Sequence, residues 1–190
     1  MRDTDVEPRG SSLKGKHVLL GVTGGIAAVD TVRLSRELRR HGANVSVVMT
    51  PSAQKIITPL AVRWASQGEV ITDWDGDLAG LSNFDAILVA PATRNLLASF
   101  VHGIMNGPLL MALSAARSRG TPIMMIPSMH GDLSSDQITS DLVIECQNLG
   151  ANIQWGNNEE GRMKTPSHEH IVALLGNLVN RNNTSVVITL

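Results

Sequence analysis

The stretch from His17 to Gly42 constrains the fold most, because a strand, a glycine turn and an amphipathic helix follow one another directly. The wholly apolar run at 18–20 is typical of a central parallel strand that is covered on both faces. Beyond the turn, apolar residues recur at helical spacing and predict a buried stripe on a helix that ends at Gly42. The stripe comprises Ile26, Val29, Val32, Leu34 and Leu38, whereas Arg33, Arg36, Arg39 and Arg40 are expected mostly on the solvated face.

The glycine turn after this first strand is a candidate anion site. Its backbone N–H groups lie at the positive end of a helix, where a phosphate is stabilised. A tight turn between a strand and a helix uses the same residues without any ligand, so this stretch alone leaves both interpretations open. The N–H groups concerned belong to Thr23, Gly24, Gly25 and Ile26.

The length, charge and cysteine content of the chain narrow the class of protein. A chain of 190 residues with alternating strand and helix patterns predicts one domain. A net charge of -1 and an aromatic content of 3% without tyrosine argue against a nucleic-acid partner. The single cysteine excludes an internal disulfide framework, and no apolar run is long enough to span a bilayer. A cytoplasmic protein without a membrane partner is therefore expected.

The two ends of the chain differ from its middle. Residues 1–14 are polar and lack the apolar core of a signal peptide, which predicts a flexible N-terminal arm. Residues 15–180 form the predicted domain. The tail at 181–190 ends in an apolar, β-prone run that suits an edge strand, an oligomer contact or disorder.

Three further apolar runs predict buried strands, and each is followed by small, polar or proline-containing residues. They are Asn44–Met49, Ala86–Ala90 and Thr121–Ile126, with shorter strands at 70–71 and 152–155. Helices are predicted at 53–67, with an interruption at Thr58 and Pro59, at 96–117, with a break at 103–108, at 137–149 and at 167–179. Because the carboxyl ends of parallel strands meet at one edge of the sheet, we expect a doubly wound α/β fold with a ligand crevice there.

Polar side chains after the second and third strands are further candidates for this crevice. Hydroxyls at Thr50 and Ser52 either join the first turn around one anion or only cap the next helix. The acidic loop at Asp73, Asp75 and Asp77 lacks the glycine and glutamate of a calcium loop, so we interpret it as solvated and expect no metal site.

Five motifs occur in order over residues 15–180: GVTGGIAA, VVMTPSAQKIITPL, FDAILVAPATRN, PSMH and EEGRM. Together they resemble the homo-oligomeric flavin-containing cysteine decarboxylases. That family includes the phosphopantothenoylcysteine decarboxylases and the peptidyl-cysteine decarboxylases of peptide antibiotic pathways. The resemblance implies a single Rossmann-like or flavodoxin-like domain that binds FMN, assembled as trimers or dodecamers with the flavin near a subunit interface.

The resemblance also implies which residues hold the cofactor. Thr23 and Gly24 would approach the FMN phosphate together with Gly25 and Ile26, and Thr50 and Ser52 would lie nearby. The segment PATRN stands where the family has PASANT, so Thr93 keeps a hydroxyl, Asn95 keeps the asparagine and Arg94 replaces an alanine. The remaining implied cofactor contacts are Ala92, Gly103 and Met129, and Met129 and His130 fall in the segment that binds the substrate.

In this family the flavin supplies an electron sink for decarboxylation. Oxidation of the cysteine thiol to a thioaldehyde places the carboxylate β to a C=S group, and loss of carbon dioxide then gives an enethiolate. By resemblance, the predicted reaction is oxidative decarboxylation of the C-terminal cysteine of a peptide to an aminoenethiol.

The chain departs from the family at two positions near the chemistry. The family's histidine upstream of PASANT is missing, and Asp77 stands at the matching position, although a carboxylate is a weaker base than imidazole at neutral pH. His130 replaces the asparagine that receives the substrate carboxyl group. We therefore consider two roles for His130, as an imidazolium that binds a carboxylate or as the replacement for the missing base.

A third departure bears on the branch of the family. Phosphopantothenoylcysteine decarboxylases carry a cysteine six residues before the GRM glycine, and Trp155 stands there in this chain. The peptidyl-cysteine decarboxylases also lack that cysteine and release the enethiol, so the chain resembles them more closely at this point. The alternatives are a phosphopantothenoylcysteine decarboxylase-like enzyme, an FMN electron-transfer flavoprotein and a regulatory or scaffold protein without catalysis.

Overall fold

A computed structural model describes residues 2–73, 83–156, 158–159, 162–163 and 165–185. The strands are β1 His17–Val22, β2 Asn44–Met49, β3 Val70–Ile71, β4 Ala86–Ala92, β5 Ile123–Pro127, β6 Ala151–Ile153, β7 Asn158–Glu159 and β8 Arg162–Met163. The α-helices are α1 Thr31–Arg40, α2 Pro59–Ser66, α3 Arg94–Val101, α4 Pro108–Arg119, α5 Gly131–Ser134, α6 Gln137–Asn148 and α7 His168–Ser185. Two 3-10 turns occupy Ile26–Asp30 and Ala53–Lys55.

Strands β1 to β6 form one sheet in the order β3-β2-β1-β4-β5-β6, and every neighbouring pair in it is parallel. This order confirms the predicted doubly wound, Rossmann-like α/β domain. The chain leaves β1 toward β2 and later returns to the other side of β1 as β4, so the order reverses between these two strands. A crevice opens at such a reversal, beyond the carboxyl ends of the strands.

Alternate residues of β1 face two separate apolar cores. Leu20 and its neighbours at 18 and 22 pack with α1 and α7, whereas Leu19 packs on the opposite face with α3, α4 and α6. Gly21 also faces this second core, where a Cβ would lie 2.5 Å from Cδ1 of Leu109. The absence of a side chain at Gly21 therefore lets α4 approach the end of β1, which narrows the crevice.

The helix predicted from Ile26 begins five residues later. Ile26–Asp30 is a 3-10 turn, and α1 begins at Thr31. With about three residues per turn, the 3-10 segment does not keep the apolar stripe on the buried face. Ile26 is 78% exposed and Val29 is 53% exposed, so the prediction that they join the core was wrong.

The N-terminal arm contacts α1 through both its backbone and its side chains. Leu13 is fully buried, and its N–H donates to the carbonyl of His41. The arginines expected on a solvated face hold the start of the arm: Arg36 donates to the carbonyl of Asp5 at 2.8 Å, and Arg39 to that of Thr4 at 2.9 Å. These charge-assisted bonds give the polar arm fixed partners that its composition did not reveal.

Other boundaries shift modestly from those expected. β4 continues through Pro91 and Ala92 rather than ending at Ala90, and α7 continues to Ser185 rather than ending at Val179. The final residues, 186–190, lie outside the described part of the chain. None of the helices described is long and apolar enough to cross a bilayer.

Candidate functional site

A cleft of about 550 Å³ opens at the carboxyl ends of β1, β2 and β4, at the point where the strand order reverses. The cleft brings together six of the residues predicted from sequence to bind the cofactor, and its size suits a small organic ligand. These six residues are Thr23, Gly24, Thr50, Ser52, Thr93 and Asn95.

Gly24 and Ser52 lie close together because the turns after β1 and β2 meet there. A Cβ at Gly24 would lie 2.4 Å from the Cβ of Ser52, and 3.3 Å from its carbonyl carbon. Only glycine fits this approach, and it leaves the Ser52 side chain exposed in the cleft wall. The two turns thus form a cradle that a side chain at Gly24 would fill.

Thr23 links the first turn to the one after β4. Its hydroxyl donates to the carbonyl of Pro91 at 2.7 Å and accepts from the N–H of Thr93 at 3.1 Å. Thr23 is only 2% exposed, so these bonds form in a nearly dry environment. The Thr23 hydroxyl therefore positions the cleft-lining turn of β4 and α3, and the predicted approach of Thr23 to the phosphate stays a prediction.

Two other hydroxyls cap helical turns. The Thr93 side chain accepts from the N–H of Leu96 at 3.4 Å, and the Thr50 side chain accepts from the N–H of Ala53 at 3.3 Å. Each hydroxyl keeps its own O–H, which can still donate to an anion in the cleft. Thr50 caps the turn and also lines the cleft, so its predicted contact with an anion stays a prediction.

The donor groups of the cleft fit the phosphate end of a flavin mononucleotide. The hydroxyls of Thr50, Ser52 and Thr93 and the amide of Asn95 are all donors for phosphate or ribityl oxygens. The Gly24 cradle allows the backbone to approach such a group closely. An apolar wall for a ring system is formed by Val48, Pro108, Leu109 and Leu110.

Several residues assigned to the cofactor do not line the cleft. The N–H of Gly25 donates to the carbonyl of Thr23 at 2.9 Å, so it points into the turn, and Ile26 is exposed beyond it. Ala92 is fully buried beneath the turn. Gly103, with a φ of +67°, borders a separate small hollow with Ile104. Asp77 lies outside the described residues, so its catalytic role stays a prediction.

Met129 and His130 follow β5, the strand next to β4 on the same edge of the sheet. Met129 packs partly against the second core. His130 caps α5: its Nδ1 accepts from the N–H of Asp132 at 3.4 Å and lies 3.4 Å from the Asp132 carboxylate. Its side chain is 63% exposed, so the ring is accessible to a substrate.

Sequence reasoning missed several residues of the cleft wall. Ser99 and Asn106 line it, together with Thr72 and Asp73 after β3. Asn106 lies in the GIMNGP segment, whose glycines and proline by themselves indicate only a break between helices. A polar residue in a glycine- and proline-rich break after a cleft-lining helix was the available signal, since such loops return to the carboxyl edge of the sheet.

Cys146 and Trp155 both contact the second core. Cys146 is fully buried against the second core, and burial raises the pKa of its thiol to about 11, which keeps it protonated and unreactive. Cys146 is therefore a small core residue. Trp155, which stands where one branch of the resembling family has a cysteine, packs partly against the same core.

Residues 7–180 match the model of the flavoprotein family. The chain belongs to the flavoprotein family. This flavoprotein is 38% identical over 167 residues to the coenzyme A biosynthesis bifunctional protein CoaBC of Thermococcus kodakarensis, and 34% identical over 170 residues to that of Haemophilus influenzae. The alignments cover 84% and 81% of this chain but only 41% and 42% of those proteins, so the flavoprotein spans less than half of their length.

Solved structures share the fold of this flavoprotein. The crystal structure of the FMN-dependent cysteine decarboxylase SpaF superposes with a TM-score of 0.78 at 22% identity and covers 89% of this chain and 98% of its own. Peptidyl-cysteine decarboxylase EpiD gives a TM-score of 0.74 at 16% identity, with coverage of 84% and 97%. Family membership bears out the prediction of a flavin cofactor. The place in the peptidyl-cysteine branch stays a prediction, because the curated relatives reported above are CoaBC proteins.

The link through Thr23 leads to a stability prediction. We expect Thr23→Val to lower the free energy of unfolding by about 2 kcal/mol, because it leaves the Pro91 carbonyl and the Thr93 N–H without partners. Thr31→Val is the matched control: Thr31 is 1% exposed, but its hydroxyl shares the Ala28 carbonyl with its own backbone N–H. Urea unfolding measures both, and equal losses would contradict the linking role.

Proposed function

We propose that the protein is an FMN-dependent decarboxylase that acts on the carboxylate of a cysteine residue. The observation that carries the proposal is the cleft at the reversal between β1 and β4, where three hydroxyls and an amide surround the Gly24 cradle. A flavin bound there supplies the electron sink that loss of carbon dioxide from cysteine requires. Family membership and the fold shared with FMN-dependent cysteine decarboxylases support the same reaction class.

The residues of the chain divide between binding and chemistry. Ser52 and Asn95 donate to the phosphate and ribityl oxygens, and Leu109 and Leu110 exclude water from the ring side of the cleft. His130, on the adjoining strand end, orients the substrate carboxylate, and Asp77 stands in for the histidine found in the resembling enzymes. As in that family, we expect the protein to form a homo-oligomer.

Phosphopantothenoylcysteine is the first substrate to test. The CoaBC relatives are coenzyme A biosynthesis proteins, and their identity with this chain reaches 38%. The fold also matches that of a PPC decarboxylase, at a TM-score of 0.76 and 20% identity. This support is stronger than that for a peptide, because the peptidyl-cysteine decarboxylase EpiD is only 16% identical to this chain.

A peptide with a C-terminal cysteine is the second candidate, and Trp155 is the observation in its favour. The tryptophan fills the position of the cysteine that helps reduce the enethiol to a thiol in phosphopantothenoylcysteine decarboxylases. A related solved structure is a cysteine-to-serine mutant of PPC decarboxylase complexed with pantothenoylaminoethenethiol. We therefore propose that this chain releases the enethiol, whichever cysteine compound it accepts.

Mass spectrometry of the product tests both points. The FMN-loaded protein is incubated with phosphopantothenoylcysteine or with a peptide ending in cysteine. We expect a loss of about 46 mass units, carbon dioxide plus two hydrogens, in contrast to about 44 where the thiol is regenerated. A serine-ended analogue is the control, since it lacks the thiol to be oxidised. If flavin binds and neither cysteine compound changes in mass, the decarboxylase proposal fails and a protein without this catalysis is favoured.

A further inference from the structure

The segment 128–136, which carries His130, is attached to the cleft through one turn of the chain. At its start, the N–H of Ser128 donates to the carbonyl of Ala92 at 3.2 Å. At its end, the carboxylate of Asp136 pairs with Arg94 at 2.7 Å. Both partners belong to the β4–α3 turn, whose Thr93 and Asn95 line the cleft. One turn therefore contacts the cofactor cleft on one side and both ends of the His130 segment on the other.

The pair between Arg94 and Asp136 has a defined geometry. Asp136 caps α6 through Oδ1, which accepts from the N–H of Ile138 at 3.1 Å, and its Oδ2 meets Nη1 of Arg94. The cap and the arginine together lower the pKa of this carboxyl, with the bond from Ile138 as the larger cause. The side chains of Arg94 and Asp136 are 24% and 36% exposed, so each is held by its partners rather than extended into solvent.

The segment between these two attachments forms side-chain hydrogen bonds within itself and to α6, and α5 also contacts β8. Ser134 and Ser135 donate from their side chains to carbonyls within α5, and the hydroxyl of Thr139 in α6 bonds the carbonyl of Leu133. The segment and the start of α6 therefore behave as one unit. The body of α6 packs on α3 in the second core, and the Arg94–Asp136 pair adds a side-chain link from the start of this unit to the cleft-lining end of α3. A shift of the β4–α3 turn can therefore reach His130 through this pair.

We propose that Arg94 is a positioning residue that couples occupancy of the cleft to the placement of His130. A ligand held by Thr93 and Asn95 fixes the start of α3. The Arg94–Asp136 pair then restrains residues 130–136, the part of the segment that carries His130. The expected effect of this coupling on turnover depends on the proposed function, whereas its expected effect on the mobility of residues 130–136 does not. Arg94 stands where the family that this chain resembles has an alanine. The coupling would explain why this chain has an arginine there.

Hydrogen exchange of the segment 130–136, measured with and without FMN, tests the coupling independently of any reaction. In the unaltered protein, we expect FMN to slow exchange in this segment by about fivefold, the most that a partly exposed ion pair can transmit. Arg94→Met and Asp136→Asn should each abolish that slowing while FMN affinity stays within about twofold. Asparagine keeps the cap of α6, so Asp136→Asn removes the charge alone. Arg94→Lys, which keeps the charge, should restore part of the effect.

Lys16→Met is the matched control, because Lys16 pairs with Asp85 at 3.3 Å with side-chain exposures of 24% and 38%, at the opposite end of β1 and β4. It should leave the FMN-dependent slowing unchanged. The double variant Arg94→Met/Asp136→Asn should be no worse than either single change, since both remove one interaction. Undiminished slowing in the single variants, or additive losses in the double variant, would overturn the coupling. Absence of turnover in the unaltered protein would instead count against the proposed function.

Discussion

Gly24→Ala is expected to weaken FMN binding by about 100-fold, equivalent to about 3 kcal/mol. The new methyl group would lie 2.4 Å from the Cβ of Ser52, an atom fixed to the backbone that cannot rotate away. The turns after β1 and β2 must then separate, and the donors of Thr50 and Ser52 move away from the phosphate position. The measurement is the flavin retained by the purified protein, followed by titration of the apoprotein with FMN.

A second substitution distinguishes this clash from a general loss of structure. Ser52→Gly removes the colliding Cβ, so Gly24→Ala/Ser52→Gly should recover much of the FMN affinity lost in Gly24→Ala. Ser52→Ala keeps the Cβ and removes the same hydroxyl, so Gly24→Ala/Ser52→Ala should show no recovery. Equal affinities in the two double variants would show that the contact between Gly24 and Ser52 does not determine cofactor binding.

The layout of the sheet could be predicted because it depends on local patterns. Apolar runs such as Val18–Leu20 and Ala86–Ala90 are too short and too uniformly apolar for surface helices, and each ends in turn residues. Parallel strands also bring their carboxyl ends to one edge of the sheet. The polar residues that follow the strands, Thr50, Ser52, Thr93 and Asn95, could therefore be placed together without any knowledge of their contacts.

The roles of individual side chains could not be predicted in the same way, because they depend on contacts distant in sequence. Thr23 meets Pro91 and Thr93, which lie 68 and 70 residues away. Nothing in the local motif shows that its hydroxyl is already satisfied by these partners. The sequence likewise shows only that Arg94 departs from a family pattern. Its pairing with Asp136, 42 positions later, becomes visible only in the structure.

Helix type was the other point beyond the reach of the sequence. Ile26 and Val29 match the spacing of an α-helical stripe, but their segment adopts a 3-10 turn. The Thr31 hydroxyl donates to the Ala28 carbonyl at 2.7 Å at the junction of this turn with α1. The rotation per residue changes at that junction, so an apolar pattern extrapolated across it selects the wrong face.

His130→Ala is expected to lower kcat/KM by about 100-fold, mainly through KM, while FMN affinity changes by less than about twofold. Nδ1 of His130 is engaged by Asp132, whose N–H and carboxylate both lie 3.4 Å away. Nε2 is therefore the ring nitrogen left for a substrate, and as an N–H it would donate to a carboxylate. The exposed His102 at the end of α3 provides a matched control, since His102→Ala should leave both kcat/KM and the FMN affinity unchanged.

Two replacements at the same position separate the two roles of His130. His130→Asn keeps an N–H donor and a side chain that can cap α5, so carboxylate binding predicts activity within about fivefold of the unaltered protein. An amide cannot act as a base, so a base role predicts that His130→Asn is as inactive as His130→Ala. His130→Asp also caps α5 but repels a carboxylate, and its low activity would show that the loss in His130→Ala comes from the missing donor rather than from the helix. Because the Asp132 carboxylate lies 3.4 Å from Nδ1, a protonated ring would donate from Nδ1 to Asp132 and from Nε2 to the substrate carboxylate.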